Sequence, residues 1–403
     1  MKNAKIVLLL LLFVFTAHSF ACTSVIISGK YTKNGRPILW KHRDTESVHN
    51  RIVYVQGKKY AYQGVVNSDD IKNNQIWMGF NETGFAIMNT ASFNINPTSY
   101  EEGEIKDREG EVMRLALEQC ATLEDFEKFL TEMPRPMGVA ANFGVIDANG
   151  GAAFYETSNT SFTKFDANDP KTAPLGYIVR SNYSYTGRNN DGYGYIRYAT
   201  ADKLFYDAAG QKNLSVEFIL NKVTRSLKNS LLETDLSDGT YCEDKNTFAV
   251  MQDFIPRSSS ASTSVIEGVK PGEDAKLTTM WTILGFQLCT FVTPTWLPES
   301  DNLPNVLVAN KDNQSELNEF SLNLKKRLFP IKRGSGQKYM NLSQMMNIQD
   351  TGLLQKTFKL ESQIFDRAEK MLKKWRKDGI NNNEIRDFYK WIDSYVMDEY
   401  RKF

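Results

Sequence analysis

At 403 residues the chain is longer than an average domain yet within reach of one large core, and its formal net charge of +1, from 49 basic and 48 acidic residues, argues against a nucleic-acid partner or a polybasic membrane anchor. Aromatic residues at 12% and charged residues at 24% describe an ordinary globular protein. Only three histidines occur, His18, His42 and His49. A His-rich catalytic zinc site is therefore not expected, no G-x-S-x-G elbow serves a serine triad, and no cofactor or metal is called for.

The first residues carry Lys2 and Lys5, then an apolar run from Ile6 to Phe15, then small residues at the −1 and −3 positions of a cut after Ala21. This is the pattern of a secretory signal, and residues 1–21 are expected to be one, with export to the periplasm or beyond. The run is too short for a membrane-spanning helix, which needs about 20 residues. A cut after Ala21 makes Cys22 the first residue of the mature protein and gives it a free α-amine.

Behind Cys22, TSVIIS reads as a buried strand because Val25, Ile26 and Ile27 run without a polar break. Asn34-Gly35 signals a hairpin turn, and PILWKH (37–42) returns, delivering Lys41, His42, Arg43 and Asp44 at its end. Strands are expected at 51–57, 60–66, 75–81 and 85–92. Helical periodicity starts near Arg108, with Val112, Leu115, Ala116 and Cys120 as its stripe. Thr122-Leu123-Glu124-Asp125 caps a second helix that Pro134 and Pro136 stop.

Further strands are read at 138–147, 152–157 and 176–182, then helices near 196–208 and 215–228. Arg257 to Thr263 reads as a serine-rich loop, and 261–268 and 277–294 have strand character. From about Lys338 helix formers dominate. Leu360, Ile364, Ala368, Met371, Leu372 and Trp375 share one helical face, and Ile385, Phe388, Tyr389, Ile392, Tyr395 and Val396 another, with a break at Gly379–Asn383. The expected organisation is a leader over 1–21, a main domain over 22–334 and a helical C-terminal extension over 335–403. Cys120 and Cys289 read as core. With Cys22 free, at most one disulfide can form among Cys120, Cys242 and Cys289.

Three stretches, in this order, resemble the cysteine branch of the N-terminal nucleophile (Ntn) hydrolases. They are CTSVIISGKYTKNGRPILWKHRD (22–44), MGFNETGFAIMNTASFN (78–94) and VRSNYSYTG (179–187). The likeness is to choloylglycine hydrolases, penicillin V acylases and the acyl-coenzyme A:6-aminopenicillanic acid acyltransferase family. It implies an α+β fold, a four-layer αββα sandwich of two antiparallel sheets, and cleavage of a linear amide through an acyl-thioester on Cys22.

The resemblance also implies site roles. Asp44 would bond the α-amine, and Lys41 stands where the family has an arginine beside the thiol. Asn182 would be an oxyanion donor with Asn89, and Arg257 would line the substrate site. Lysine cannot reproduce a planar bidentate contact, which departs from the bile-salt branch, and Arg43, on the same strand face as Lys41, can supply the charge instead. The expected partner is a small acyl-amide substrate, with no nucleic acid and no membrane span, and self-association is left open. Ser19-Phe20-Ala21-Cys22 also resembles a lipobox, so the alternative is a lipid-anchored surface binding protein with Cys22 as its lipidated residue.

Overall fold

The computed structural model describes residues 21–97, 107–237 and 246–403. Two antiparallel sheets face one another. The six-stranded sheet contains β1 (Thr23–Ile27), β2 (Ile38–Asp44), β10 (Tyr177–Arg180), β11 (Ser260–Glu267), β12 (Thr279–Leu284) and β13 (Thr293–Thr295), in the order β10-β1-β2-β11-β12-β13. The seven-stranded sheet is a meander in chain order: β3 (Asn50–Gln56), β4 (Ala61–Asn67), β5 (Met78–Asn81), β6 (Ala86–Ala91), β7 (Ala141–Ile146), β8 (Ala152–Thr157) and β9 (Phe162–Asp166).

Helices α1 (Glu109–Gln119) and α2 (Leu123–Glu132) cover the outer face of the meander. On the other side, α3 (Tyr195–Gly210), α4 (Glu316–Leu328), α5 (Leu353–Asp378) and α6 (Asn382–Tyr400) accompany the six-stranded sheet. The result is the αββα sandwich. Among the described residues no helix is long and apolar enough to cross a membrane.

β1 runs between β2 and β10, so it is covered on both faces and paired on both edges, and this is why its apolar run is unbroken. Asn34-Gly35 does form a turn, with Gly35 at φ 79°, the left-handed region that glycine enters without a Cβ clash. The Asn81–Gly84 turn is held from within. Asn81 Oδ1 accepts from Thr83 N and Phe85 N, while its Nδ2 donates to the carbonyls of Leu117 and Cys120 at 2.8 Å each. The asparagine of the second motif thus pins the β5–β6 hairpin to the end of α1.

Several sequence expectations are corrected. The buried stripe of α1 is Val112, Met113, Ala116 and Leu117, whereas Leu115 is only half-buried. The helix expected over 215–228 is one α-helical turn, Val216–Phe218, followed by a π-helical turn to Val223. Ser260 to Thr263 is strand, because β11 begins at Ser260 and pairs with both β2 and β12. Edge strand β9 and helix α4 were not anticipated. α4 buries Leu317, Asn318, Ser321 and Leu328, a mixed stripe whose polar members mask its period, although Ser315 caps it by accepting from Asn318 N. Cys120 and Cys289 are buried and free, and Cys242 lies outside the described residues.

The helical tail shares the main core. Ile364, Ala368, Leu372 and Trp375 of α5 and Ile385, Phe388 and Ile392 of α6 belong to the same apolar cluster as β1, β2 and β12. Tyr389 donates its hydroxyl to Trp296 O (3.2 Å) and accepts from Trp296 N (2.8 Å), just beyond β13. Glu361 of α5 grips Arg225 through both carboxylate oxygens (2.5 and 2.9 Å), and Arg225 also donates to the carbonyls of Gln287 and Thr290. Both charges are fully buried. Removing one partner strands the other, so Glu361→Ala is expected to lower unfolding stability by about 3–5 kcal/mol, read by chemical denaturation. A change under about 1 kcal/mol would mean that the tail is not clamped by this pair.

Candidate active site

The register of β1 against β2 sets the site. Thr23 lies opposite His42 and Ser24 opposite Lys41, so one step back along the strand brings Cys22 beside Arg43. By strand alternation, Thr23, Trp40 and His42 face the helices, while Cys22, Lys41 and Arg43 face the meander. The contacts agree. Thr23 Oγ1 accepts from Arg197 of α3, and Trp40 Nε1 donates to Thr224. Lys41 Nζ instead reaches across to Asn89 Oδ1 on β6 (2.7 Å) and to Trp77 O (2.8 Å).

A cavity of about 630 Å³ opens onto Cys22, Lys41, Arg43, Asp44 and Asn89, with Trp77, Phe93, Glu109 and Tyr193 among its other walls. Arg43 donates to Asn50 Oδ1 and Asn67 Oδ1, both at 2.9 Å, and its guanidinium lies 4.6 Å from the Trp77 ring centre, within cation–π range. Burial draws the Lys41 ammonium down to about 7, opposed by the nearby Cys22 and Glu109 and assisted by Arg43. Burial pushes the Glu109 carboxyl up to about 7, opposed by a bond from Ala140 N (2.9 Å) and by Lys41. Two opposite groups of this cavity thus exchange protons close to neutrality.

Behind the cavity a second network holds the backbone of Cys22. With Ala21 still attached, Cys22 N is a peptide N–H, and it donates to Asn182 Oδ1 at 2.8 Å. Arg197 Nη2 donates to the same oxygen (2.9 Å) while its Nη1 donates to Cys22 O (2.6 Å) and Thr23 Oγ1 (2.7 Å). Asn182 Nδ2 is engaged by Ala91 O at 3.0 Å. The side chain expected to donate to an oxyanion is therefore placed here as the acceptor for the Cys22 nitrogen.

Asp44, expected on the α-amine, takes Ser260 Oγ on one oxygen (2.5 Å) and Arg257 Nη2 on the other (2.8 Å). Arg257 also donates to Ala21 O (3.2 Å) and lies behind the cavity wall, which it does not line. His42 Nε2 meets Ser260 Oγ at 2.9 Å and its Nδ1 meets Thr263 Oγ1 at 3.2 Å, and burial lowers its pKa to about 4, so it is a neutral, buried support under Asp44. His49 sits at the surface against Glu319.

Of the residues expected at the site, Cys22, Lys41, Asp44 and Asn89 converge on the cavity, while Asn182 and Arg257 form the layer behind it. Arg197, Trp77 and Glu109 were missed. Arg197 lies in the first turn of an otherwise unremarkable helix, and Glu109 opens α1 in the manner of any acidic residue in a first turn, so neither carries a local signal. Among the described residues no group of His, Cys, Asp or Glu is placed to hold a metal.

No curated protein matches the chain by sequence. Similar solved structures include the Caenorhabditis elegans orthologue of N-acylethanolamine-hydrolyzing acid amidase, at 14% identity over 61% of this chain and 92% of that one, with a TM-score of 0.40. A mutant conjugated bile acid hydrolase from Clostridium perfringens is 12% identical over 68% of this chain and 92% of its own, with a TM-score of 0.41. Penicillin V acylase from Agrobacterium tumefaciens is 12% identical over 73% and 88%, with a TM-score of 0.38. By sequence, residues 32–245, just over half of the chain, match the profile of the acyl-coenzyme A:6-aminopenicillanic acid acyl-transferase family, a stretch that includes Lys41, Asp44, Asn89 and Asn182. The chain therefore belongs to that family.

Proposed function

We propose that the chain is an exported cysteine amidase, in which removal of residues 1–21 leaves Cys22 as both nucleophile and bearer of the α-amine that serves it. The observation that carries this reading is positional. The residue that a cut after Ala21 would expose is also the one that opens onto the cavity beside Lys41 and Arg43. An α-amine has a pKa near about 7.7–8.0 and can take up and return a proton at neutrality. In the mature chain it would donate to Asn182 Oδ1 as the peptide N–H does, and Arg197 would keep that acceptor in place.

In this mechanism the thiol proton passes to the amine as sulfur attacks the amide carbonyl. The tetrahedral intermediate breaks its C–N bond, the leaving amine takes the proton, and an acyl-thioester remains. Water then releases the acid and restores the thiol, and an amine in place of water would give acyl transfer. Asn89, whose oxygen is taken up by Lys41, has its Nδ2 left to donate to the oxyanion. Lys41 and Arg43 set positive charge beside it.

N-terminal sequencing and intact mass of exported protein test the start at Cys22, and a diacylglyceryl mass on that residue would favour the lipid-anchored binding protein instead. Cys22→Ala is expected to abolish cleavage across a panel of acyl-amides while leaving the circular dichroism spectrum and melting point in place. Cys22→Ser should keep the fold but lose most of the rate, because an alkoxide is harder to form than a thiolate. Cleavage retained by Cys22→Ala would place the nucleophile elsewhere.

A pH profile tests Lys41. A lysine held at about 7 is charged below that pH and neutral above it, so the rate it supports should fall as pH rises through about 7 to 8. Lys41→Arg keeps its charge throughout, and the falling limb should move up by roughly 2 units or more in variants that remain active. Lys41→Met should lose about 10²–10³ in kcat below that limb and progressively less above it, where the lysine is already neutral. An unchanged limb in Lys41→Arg would remove Lys41 as its source.

A further inference from the structure

The Cys22 cavity sets Lys41 and Arg43 on one wall against Asp107 and Glu109 on another, and among the described residues neither pair is ion-paired within its own wall. On the β2 wall, the polar partners of Lys41 and Arg43 are neutral: carbonyl oxygens of Trp77, Asn89, Asn50 and Asn67. The other wall belongs to the start of α1, which packs on the meander, and it presents Asp107 and Glu109. Among the described residues neither acid has a cation within ion-pair distance. The other two acids on the lining do: Arg188 holds Asp191 at 2.6 Å, and Arg257 holds Asp44 at 2.8 Å.

Glu109 is the informative member. It is 8% exposed, and its Oε1 is fixed by the N–H of Ala140, which orients the carboxyl without neutralising it. A buried carboxyl held only by neutral backbone N–H groups is costly, and burial, with Asp107 nearby, raises its titration to about 7. A cation entering the cavity would relieve the cost. Lys41 lies within electrostatic reach of Glu109 but is directed to Trp77 and Asn89. A wall of this kind selects for a donor-rich positive group and selects against a purely apolar acyl chain.

We infer that the amide processed at Cys22 bears a primary ammonium group, seated against Glu109 with Asp107 beside it, while the scissile carbonyl lies at Cys22 near Lys41 and Arg43. This rests on the amidase reading and names the class of its substrate. Glu109 is then a specificity-determining residue: it meets a part of the substrate that does not react, and helps to place the part that does. The ammonium can belong to the acyl half or to the leaving amine, and the arms of the test separate the two.

The experiment uses mature protein beginning at residue 22, with Glu109→Gln and Cys22→Ala variants. One substrate pair is the 4-nitroanilide of 6-aminohexanoic acid against that of hexanoic acid. The other is the hexanoyl amide of 1,4-diaminobutane against that of butylamine. We expect kcat/KM to favour the ammonium-bearing member of at least one pair by about tenfold or more, and Glu109→Gln to bring that ratio close to one. No preference in the wild type, or an unchanged ratio in Glu109→Gln, overturns the inference. Equal losses on both members of each pair would make Glu109 a structural counter-ion, and overturn it too.

Binding of the same four compounds to Cys22→Ala, with and without Glu109→Gln, is measured by calorimetry. If no amide is cleaved but the ammonium-bearing member binds about tenfold tighter in a manner that depends on Glu109, the ammonium seat at Glu109 stands, and the amidase reading falls together with the processing step it supplies. Equal affinities, or no binding of any member, overturn the inference.

Discussion

The site depends on one buried guanidinium. Arg197 reaches from the first turn of α3 to the carbonyl of Cys22, the hydroxyl of Thr23 and the side-chain oxygen of Asn182. It thereby joins the start of β1, the segment that follows β10 and the helix layer at one point. Planar geometry makes this joint stiff, since a guanidinium holds its donors in a fixed fork where an ammonium would pivot. Asn182 can present its oxygen to the Cys22 nitrogen because Arg197 occupies the other side of that oxygen and Ala91 takes the amide nitrogen. A residue at the start of a strand would otherwise sit on its most mobile part.

The two sheets divide the remaining work. The six-stranded sheet supplies the sulfur and the cations, and the meander supplies their neutral partners and, through α1, the acids. Keeping the opposing charges apart leaves each of them only partly satisfied, which a well-packed core would not tolerate. A cavity can, because it leaves room for a partner from outside the chain. The lysine at position 41 fits this arrangement. Its charge can be given up near neutrality where an arginine's cannot, and its titration brings it into the same range as Glu109 across the cavity.

How much of this was legible in the sequence follows from which interactions are local. The unbroken apolar run of β1, the Asn34-Gly35 turn and the return of Lys41 and Asp44 are contained within 23 consecutive residues, 22–44, and were read directly. Periodicity also carried α5 and α6, whose stripes are long and apolar. It failed for α4, where Asn318 and Ser321 are buried among leucines, and for the segment after Ser215, where a π-helical turn ends the helix early. Arg197 and Glu109 owe their roles to partners far away in the chain, Arg197 to residues more than 170 positions earlier and Glu109 to the opposite sheet. Asn182 was found by its motif, but the direction of its amide is set by Ala91 and Arg197, which no spacing encodes.

The hydroxyl of Tyr389 has a significance beyond packing. β13 is the last strand of its sheet, and an edge strand offers unpaired N–H and C=O groups to any passing chain. At Trp296, where the chain leaves that edge, Tyr389 receives the N–H and supplies a donor to the carbonyl, which is what a further strand would have done. The C-terminal helices therefore act as a stopper on the sheet at this point. They finish the edge at Trp296 with hydrogen bonds from a side chain in place of those from a further strand.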